Sequence, residues 1–368
     1  MTESRPGNDS PRESPSPGEP VSPSLLLPVK EPAAPIVPPE ARVAGSEKKR
    51  RLVRAASVPT RPGCVLAVGG GKGGIGKSLI AANLGIELAR RGKRVVLIDA
   101  DLGGANLHTC LGVQPPKVTL SDFIDRKVGK LNQVVVPAGL PNLGLVSGAL
   151  DSLDVANPRH GEKVKLLRNL RALPVDFVLL DLGAGTSYNV LDFFLTADHG
   201  ILVLVPEPTS VENGYRFIKA AFFRRLAAIQ AVYGIEDLVT EAMSRRQENG
   251  IKTPYEVIAA VHERDPAAGE NLEREMGRFR PGLIVNQARS DTDREVGNAV
   301  VAAWHKYFGL EMDYLGAIGY DDEVWKAVRK RRPVLLESPG SETAVAMARI
   351  ADRLLQLDGT SGPAQAVR

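Results

Sequence analysis

Between the apolar run Val65-Leu66-Ala67-Val68 and a helical stretch that opens at Ser78 lies GGGKGGIGKS, residues 69–78. So many glycines would weaken a strand or a helix, but they allow bare backbone to wrap closely around a ligand. A strand, a glycine loop and a helix N-terminus in succession form a ready-made anion site. Two phosphate-binding patterns fit the same residues. Gly71, Gly73 and Gly76 spell G-x-G-x-x-G, the dinucleotide fingerprint, with Asp99 closing the next apolar run at about the spacing of a ribose-binding acid. Gly71, Gly76, Lys77 and Ser78 spell G-x-x-x-x-G-K-[ST], the P-loop, whose amides surround a triphosphate.

The remainder of the chain decides between them. From Val65 onward short β-branched runs alternate with helical stretches, the mark of a parallel sheet covered by helices. Val95–Ile98, Phe177–Leu180, Ile201–Val205 and Leu283–Val285 are nearly all apolar, as buried parallel strands are. The helix after the loop carries Ile80, Leu84 and Leu88 and stops at Gly92. A P-loop site also needs a carboxylate at the end of another buried strand, to hold water around magnesium, and Asp181 follows Phe177–Leu180. A dinucleotide oxidoreductase has no use for it. Leu182-Gly183-Ala184-Gly185 then lets backbone approach a terminal phosphate. The fold expected is α/β: a doubly wound, mostly parallel sheet of the P-loop NTPase type with an α-helical insertion.

Three segments are expected along the 368 residues. Residues 1–62 hold about half of the prolines and read as a disordered tail, whose end carries the basic cluster Lys48–Arg54. Residues 63–358 form the ATPase domain, with a helical insertion at about 233–280, and 359–368 read as a flexible end. Two cysteines, Cys64 and Cys110, provide neither a disulfide framework nor a metal-ligand spacing. No apolar run approaches the roughly 18 residues of a membrane span, and Glu3, Asp9 and prolines stand where a signal peptide would be apolar. The expectation is a cytoplasmic protein, peripheral to the inner membrane or nucleoid through a partner, with a membrane surface or DNA as further candidate contacts. The net charge of +4 confines any nucleic-acid or anionic-lipid binding to local patches.

Lys72, inside the loop, is not required by the ordinary P-loop. With it, Lys72-Gly73-Gly74-Ile75-Gly76-Lys77-Ser78 resembles the deviant Walker A motif K-G-G-x-G-K-[ST] of the MinD/ParA superfamily. That resemblance implies ATP and Mg²⁺ as cofactors, an ATP-dependent homodimer, and ATP hydrolysis, with Lys72 crossing to the partner's nucleotide. Gly71 to Ser78 would hold the phosphates, and Lys77 would reach the β- and γ-phosphates. Asp99-Ala100-Asp101 resembles the first switch, implying that Asp101 orients the attacking water while Asp99, with Ser78 and Asp181, serves hydrated magnesium. Val285-Asn286-Gln287 resembles the strand end whose asparagine reads adenine. Leu315–Asp321 resembles the family's G-x-I-P-x-D loop, with Gly319 in place of proline. Asp181–Ser187 and Pro206–Ser210 are more similar to FlhG, the flagellar-number ATPase, than to MinD, although the FlhG activator motif D-Q-A-x-x-L-R is absent.

Timed dimerisation of this kind positions or regulates other assemblies. Two readings stand beside it: an FlhG-like regulator of flagellar number and placement, and a scaffold that binds ATP without useful turnover. An iron–sulfur carrier would need a C-x-x-C near the C-terminus, which is lacking. The helical insertion is the expected contact for a protein partner. Lys326 and Arg329 to Arg332 form a candidate DNA patch, with a solvated helix end as the plainer alternative. Ala344–Leu357 reads as a core helix and not as a membrane-binding one.

Overall fold

The computed structural model describes residues 63–101, 104–148, 160–244 and 253–360. The tail 1–62 with its Lys48–Arg54 cluster, Leu102 and Gly103, and residues 361–368 lie outside the described residues.

Eight strands form one sheet: β1 Cys64–Gly69, β2 Val95–Asp99, β3 Val136–Pro137, β4 Leu143–Val146, β5 Phe177–Asp181, β6 His199–Leu204, β7 Gly282–Ala288 and β8 Asp313–Gly319. Their order is β3-β4-β2-β5-β1-β6-β7-β8. Every pairing is parallel except that of β3 with β4, where Pro137 sits on an edge strand that tolerates a residue without an amide hydrogen. Parallel neighbours require crossovers, and the helices provide them. In chain order these are α1 Lys77–Arg90, α2 Leu107–Leu111, α3 Leu120–Ile124, α4 His160–Arg171, α5 Tyr188–Thr196, α6 Pro208–Tyr233, α7 Glu236–Ser244, α8 Pro254–Arg264, α9 Pro266–Gly277, α10 Asp291–Phe308, α11 Asp322–Arg329, α12 Val334–Glu337 and α13 Glu342–Thr360.

Because side chains alternate along a strand, each central strand feeds two cores. Cys64, Leu66 and Val68 of β1 join one core with α1, α2 and α13, while Val65 and Ala67 join the other with α4, α5, α6 and α10. Phe177 and Leu179 of β5 split from Val178 and Leu180 in the same way. Layers on both sides of a mostly parallel sheet give the α/β, doubly wound architecture of P-loop NTPases. α13 is a core helix, with Met347, Ile350, Ala351 and Leu354 buried; it runs on to Thr360, past the point at which the chain was expected to fray.

The charged stretch after Gly234 breaks where proline and a capping residue coincide. Thr253 caps α8 and Asp265 caps α9, each followed by a proline at the first helical position. α7, α8 and α9 add a layer outside α6, with Val239, Val257, Val261, Leu272 and Met276 buried in the core on that side.

Candidate functional site

Parallel alignment brings the C-terminal ends of the strands to one edge, where ligands bind in open α/β sheets. Asp99 ends β2 and pairs in register with Asp181, which ends β5; β5 in turn flanks β1, whose end begins the glycine loop. The sheet itself therefore gathers residues that lie more than a hundred positions apart in sequence.

The loop 70–76 turns through Gly74 and Gly76, with φ of 76° and 93°. A side chain at Gly71 would strike the Asn213 carbonyl, and one at Gly76 would strike the Asn286 amide. α1 starts at Lys77, which is buried and donates from Nζ to the carbonyl of Lys72 at 3.2 Å. Burial lowers the Lys77 pKa, against the opposing pull of Asp181 and Asp101. Ser78 follows on the first turn, and its hydroxyl hydrogen-bonds to the Asp181 carboxylate.

Asp181 is 1 % exposed, and its Oδ1 has no hydrogen-bond partner. Burial and then the neighbouring Asp99 push its carboxyl up to about 7. Asp99, equally buried, accepts from the amides of Asp101 at 3.2 Å and Leu107 at 2.9 Å; burial still raises it to about 6. Asp101 stands farther out, and a Cβ on Gly183 would come to 3.0 Å from its Oδ1. The loop after β5 is tied back to the glycine loop by the Gly185 amide, which donates to the Gly70 carbonyl at 3.2 Å. Three carboxylates around one buried ammonium leave negative charge uncompensated.

That surplus, with an orphaned carboxylate oxygen and a hydroxyl beside it, suits a hard divalent cation completed by water and phosphate. Among the described residues no three His, Cys, Asp or Glu side chains form a cage of their own, and magnesium bound alongside a nucleotide does not need one. The residues present therefore fit Mg²⁺ and a nucleotide triphosphate.

Lys72 points elsewhere. Its side chain is 42 % exposed and lies 3.4 Å from Glu207, the residue that caps α6 after β6. Sequence reasoning left Glu207 without a role, and a pair separated by 135 positions gives no local signal. On the other flank, Asn286 at the end of β7 is buried and donates from Nδ2 to the Ile75 carbonyl at 2.8 Å. It therefore braces the glycine loop. Beyond it, Arg289 stacks 3.8 Å from the centre of the Tyr320 ring. At Gly319 any side chain would meet the Glu342 carboxylate, itself paired with Arg294. Asp321 caps α11 through the Glu323 amide and accepts from the Thr343 amide, so it fastens two helices together.

The domain model described as "CobQ/CobB/MinD/ParA nucleotide binding domain" matches residues 66–334. The chain belongs to this family. Among curated relatives, the antiactivator FleN of Pseudomonas aeruginosa is 28 % identical over 292 residues, covering 79 % of this chain and 85 % of FleN. The septum site-determining protein MinD of Bacillus subtilis is 27 % identical over 306 residues, covering 82 % and 92 %. Among solved structures, the MinD of Pyrococcus horikoshii complexed with Mg-ADP aligns with a TM-score of 0.55 at 21 % identity, over 82 % of this chain and 99 % of that one. The MinD cell division ATPase of Pyrococcus furiosus gives 0.54 at 23 %, over 80 % and 99 %. These structural likenesses show the shared fold. The chain is thus a MinD/ParA-type nucleotide-binding protein, related to FleN and MinD.

Proposed function

We propose that this MinD/ParA-family chain hydrolyses ATP and uses the nucleotide to switch between monomer and homodimer. The observation that carries the reading is the convergence of Lys77, Ser78, Asp99, Asp101 and Asp181 at one strand-end edge, with an unpartnered carboxylate oxygen on Asp181. Phosphoryl transfer to water is mostly positioning and charge stabilisation, which such a site supplies. Lys77 and the amides of Gly71 to Ser78 hold the phosphates. Ser78 would hold Mg²⁺, with Asp181 and Asp99 on its water shell, and the bound cation would supply charge neutralisation at the phosphates. Asp101, the outermost carboxylate, orients the attacking water. Asn286 offers its carbonyl oxygen to the adenine edge.

Lys72 is exposed and, among the described residues, its ammonium is paired with Glu207, a partner it can exchange for a phosphate across a dimer interface. ATP then acts as the dimerisation ligand, and hydrolysis separates the subunits. The test is the solution mass of the Asp101→Ala protein by light scattering. Dimer with Mg-ATP and monomer with Mg-ADP is the expected result; monomer in both, with ATP bound, removes the trans-lysine mechanism.

The FleN relationship, which extends over 79 % of this chain, favours one biological setting for the switch: an FlhG-like regulator of flagellar number and placement. In that setting α7–α9 select the protein partner, since α6 carries them from the nucleotide edge. Among the described residues no helix is long and apolar enough to cross a membrane, which suits a cytoplasmic protein recruited to membrane or nucleoid by its partner. Deleting residues 236–278 and recovering an unchanged set of partners in pull-downs overturns the assignment to α7–α9.

A further inference from the structure

On the side of the sheet that carries α1 and α13, a recess opens between α1, α2 and the turn joining α11 to α12. Leu79, Cys110, Val324, Val328 and Pro333 give it apolar walls. Arg331 and Arg332 line it as well, and beside it α11 and its C-terminal end carry Trp325 and Val328, 58 % and 54 % exposed, with Lys326, Arg329 and Lys330.

The five cations are not equivalent. Lys326 is held by Glu323 at 2.7 Å, and Glu337 takes both Lys330 and Arg332. Arg329 lies over the Trp325 ring, 4.7 Å from its centre, an arrangement that leaves guanidinium N–H groups available to a further partner. Neither Arg329 nor Arg331 has a carboxylate partner among the described residues.

Arg331 is also conformationally costly. The amides of Arg331 and Arg332 donate to the carbonyls of Val328 and Ala327, which closes α11 as a Schellman motif. Its left-handed position, φ 51°, is occupied by arginine where glycine is favoured, and the Arg331 carbonyl is pressed against Gly112 beyond α2. A strained residue with an unpaired charge at the mouth of an apolar recess points to a ligand.

We infer that the recess is a docking site for an acidic segment of a partner protein carrying one apolar side chain. The apolar residue enters among Leu79, Val324 and Val328, and flanking carboxylates pair with Arg329 and Arg331 in charge-assisted contacts. Charge complementarity selects this occupant. DNA would need a run of uncompensated cations along a backbone, yet three of the five are already paired with Glu323 or Glu337. A lipid surface would meet a flat apolar face, whereas here the apolar surface is recessed. Two walls of the recess are the helices that leave the nucleotide edge: α1 follows the glycine loop, and the first amide of α2 bonds to Asp99. The inference goes beyond the ATP switch, and its test uses nucleotide-free protein, so failure of either leaves the other standing.

The experiment selects displayed random peptides on the nucleotide-free full chain and follows maleimide labelling of Cys110. Cys64 is buried and 8 % exposed, so labelling reports on the recess. Enriched peptides are expected to carry net negative charge around a single apolar residue, and near tenfold excess over Kd to slow Cys110 labelling about tenfold. Val328→Asp should abolish that protection. Arg331→Gly relaxes the backbone, so it should melt no lower than the wild type while weakening the peptide roughly tenfold. Enrichment of no such class, binding that leaves Cys110 labelling unchanged, or full affinity in Arg331→Gly would overturn the inference. Protection of Cys110 by mixed-sequence duplex DNA or by phosphatidylglycerol vesicles in place of the peptides would overturn it as well.

Discussion

Asp181 and Glu275 are both buried carboxylates, and they are treated in opposite ways. Glu275 in α9 is 6 % exposed, with both oxygens 2.8 Å from Arg278 and the Tyr233 hydroxyl donating at 3.4 Å. Asp181, at the nucleotide edge, keeps one oxygen orphaned and is pushed up to about 7 by burial. A buried acid with its own arginine is a finished structural joint; one that keeps an oxygen orphaned is a site that something else completes. The same contrast separates the two regions: the strand-end edge holds unresolved charge, while the buried acid of the α7–α9 layer is paired with Arg278 beside it.

The largest expected effect that sharpens this contrast is at Lys77. Lys77→Ala should reduce ATP binding at least about 100-fold, measured by calorimetry, and Asp101→Ala should lower turnover by about 10²–10³ with ATP affinity retained. The opposite outcome is expected in the outer layer: Leu272→Ala, at a fully buried position, should cost about 3 kcal/mol in denaturant unfolding and leave ATP affinity unchanged. A loss of ATP binding there would break the distinction.

The next effect is pH-dependent. Asp99, near 6, and Asp181, near 7, hold protons in the folded protein where unfolded carboxyls, titrating at about 4, have lost theirs. The folded state therefore binds more protons between about pH 4 and pH 7, so stability is greatest at the acid end of that window and falls as pH rises through it. Nucleotide-free protein should melt at a higher temperature near pH 5 than near pH 7.5, and Asp181→Asn should remove most of the slope. Asp176, whose carboxyl is held down first by its hydrogen bond to Arg94, contributes the reverse trend at more acid pH. The smallest effect concerns Glu207. Glu207→Ala breaks an exposed pair worth at most about 1 kcal/mol, so the melting temperature should hold while ATP-dependent dimer formation in light scattering rises slightly.

Legibility in the sequence follows the range of the interactions. The glycine loop, β1, β2, β5, β6 and β7 were readable because a buried parallel strand is a continuous apolar run, and the acid closing it announces an edge residue. β8 was read only as a loop, since Asp313, Tyr314 and Gly316 interrupt its apolar pattern near the sheet's border. β3 and β4, two and four residues long, carry too little pattern to be found. The helical character of the insertion was legible, but its division into α7, α8 and α9 depended on Gly234 closing α6 and on Pro254 and Pro266 acting with Thr253 and Asp265 as caps. The Lys72–Glu207 pair and the brace from Asn286 to Ile75 exist only once the sheet has been assembled, so no local pattern encodes them.

α6 has a geometric consequence of its own. Its 26 residues, at 1.5 Å each, make a rod about 39 Å long. Its foot is Glu207, beside Lys72, and its far end is Tyr233, against Glu275 of the outer layer. Near the middle, Arg224 grips Asp192 and covers the ring of Tyr188, on the helix that leaves the Asp181 loop. Pivoting about its foot, so stiff a rod would act as a lever between the nucleotide edge and the outer layer. A tilt of about 5° at the foot would swing the tip by about 3 Å, enough to turn a small change of charge at the phosphates into a displacement that another protein can feel.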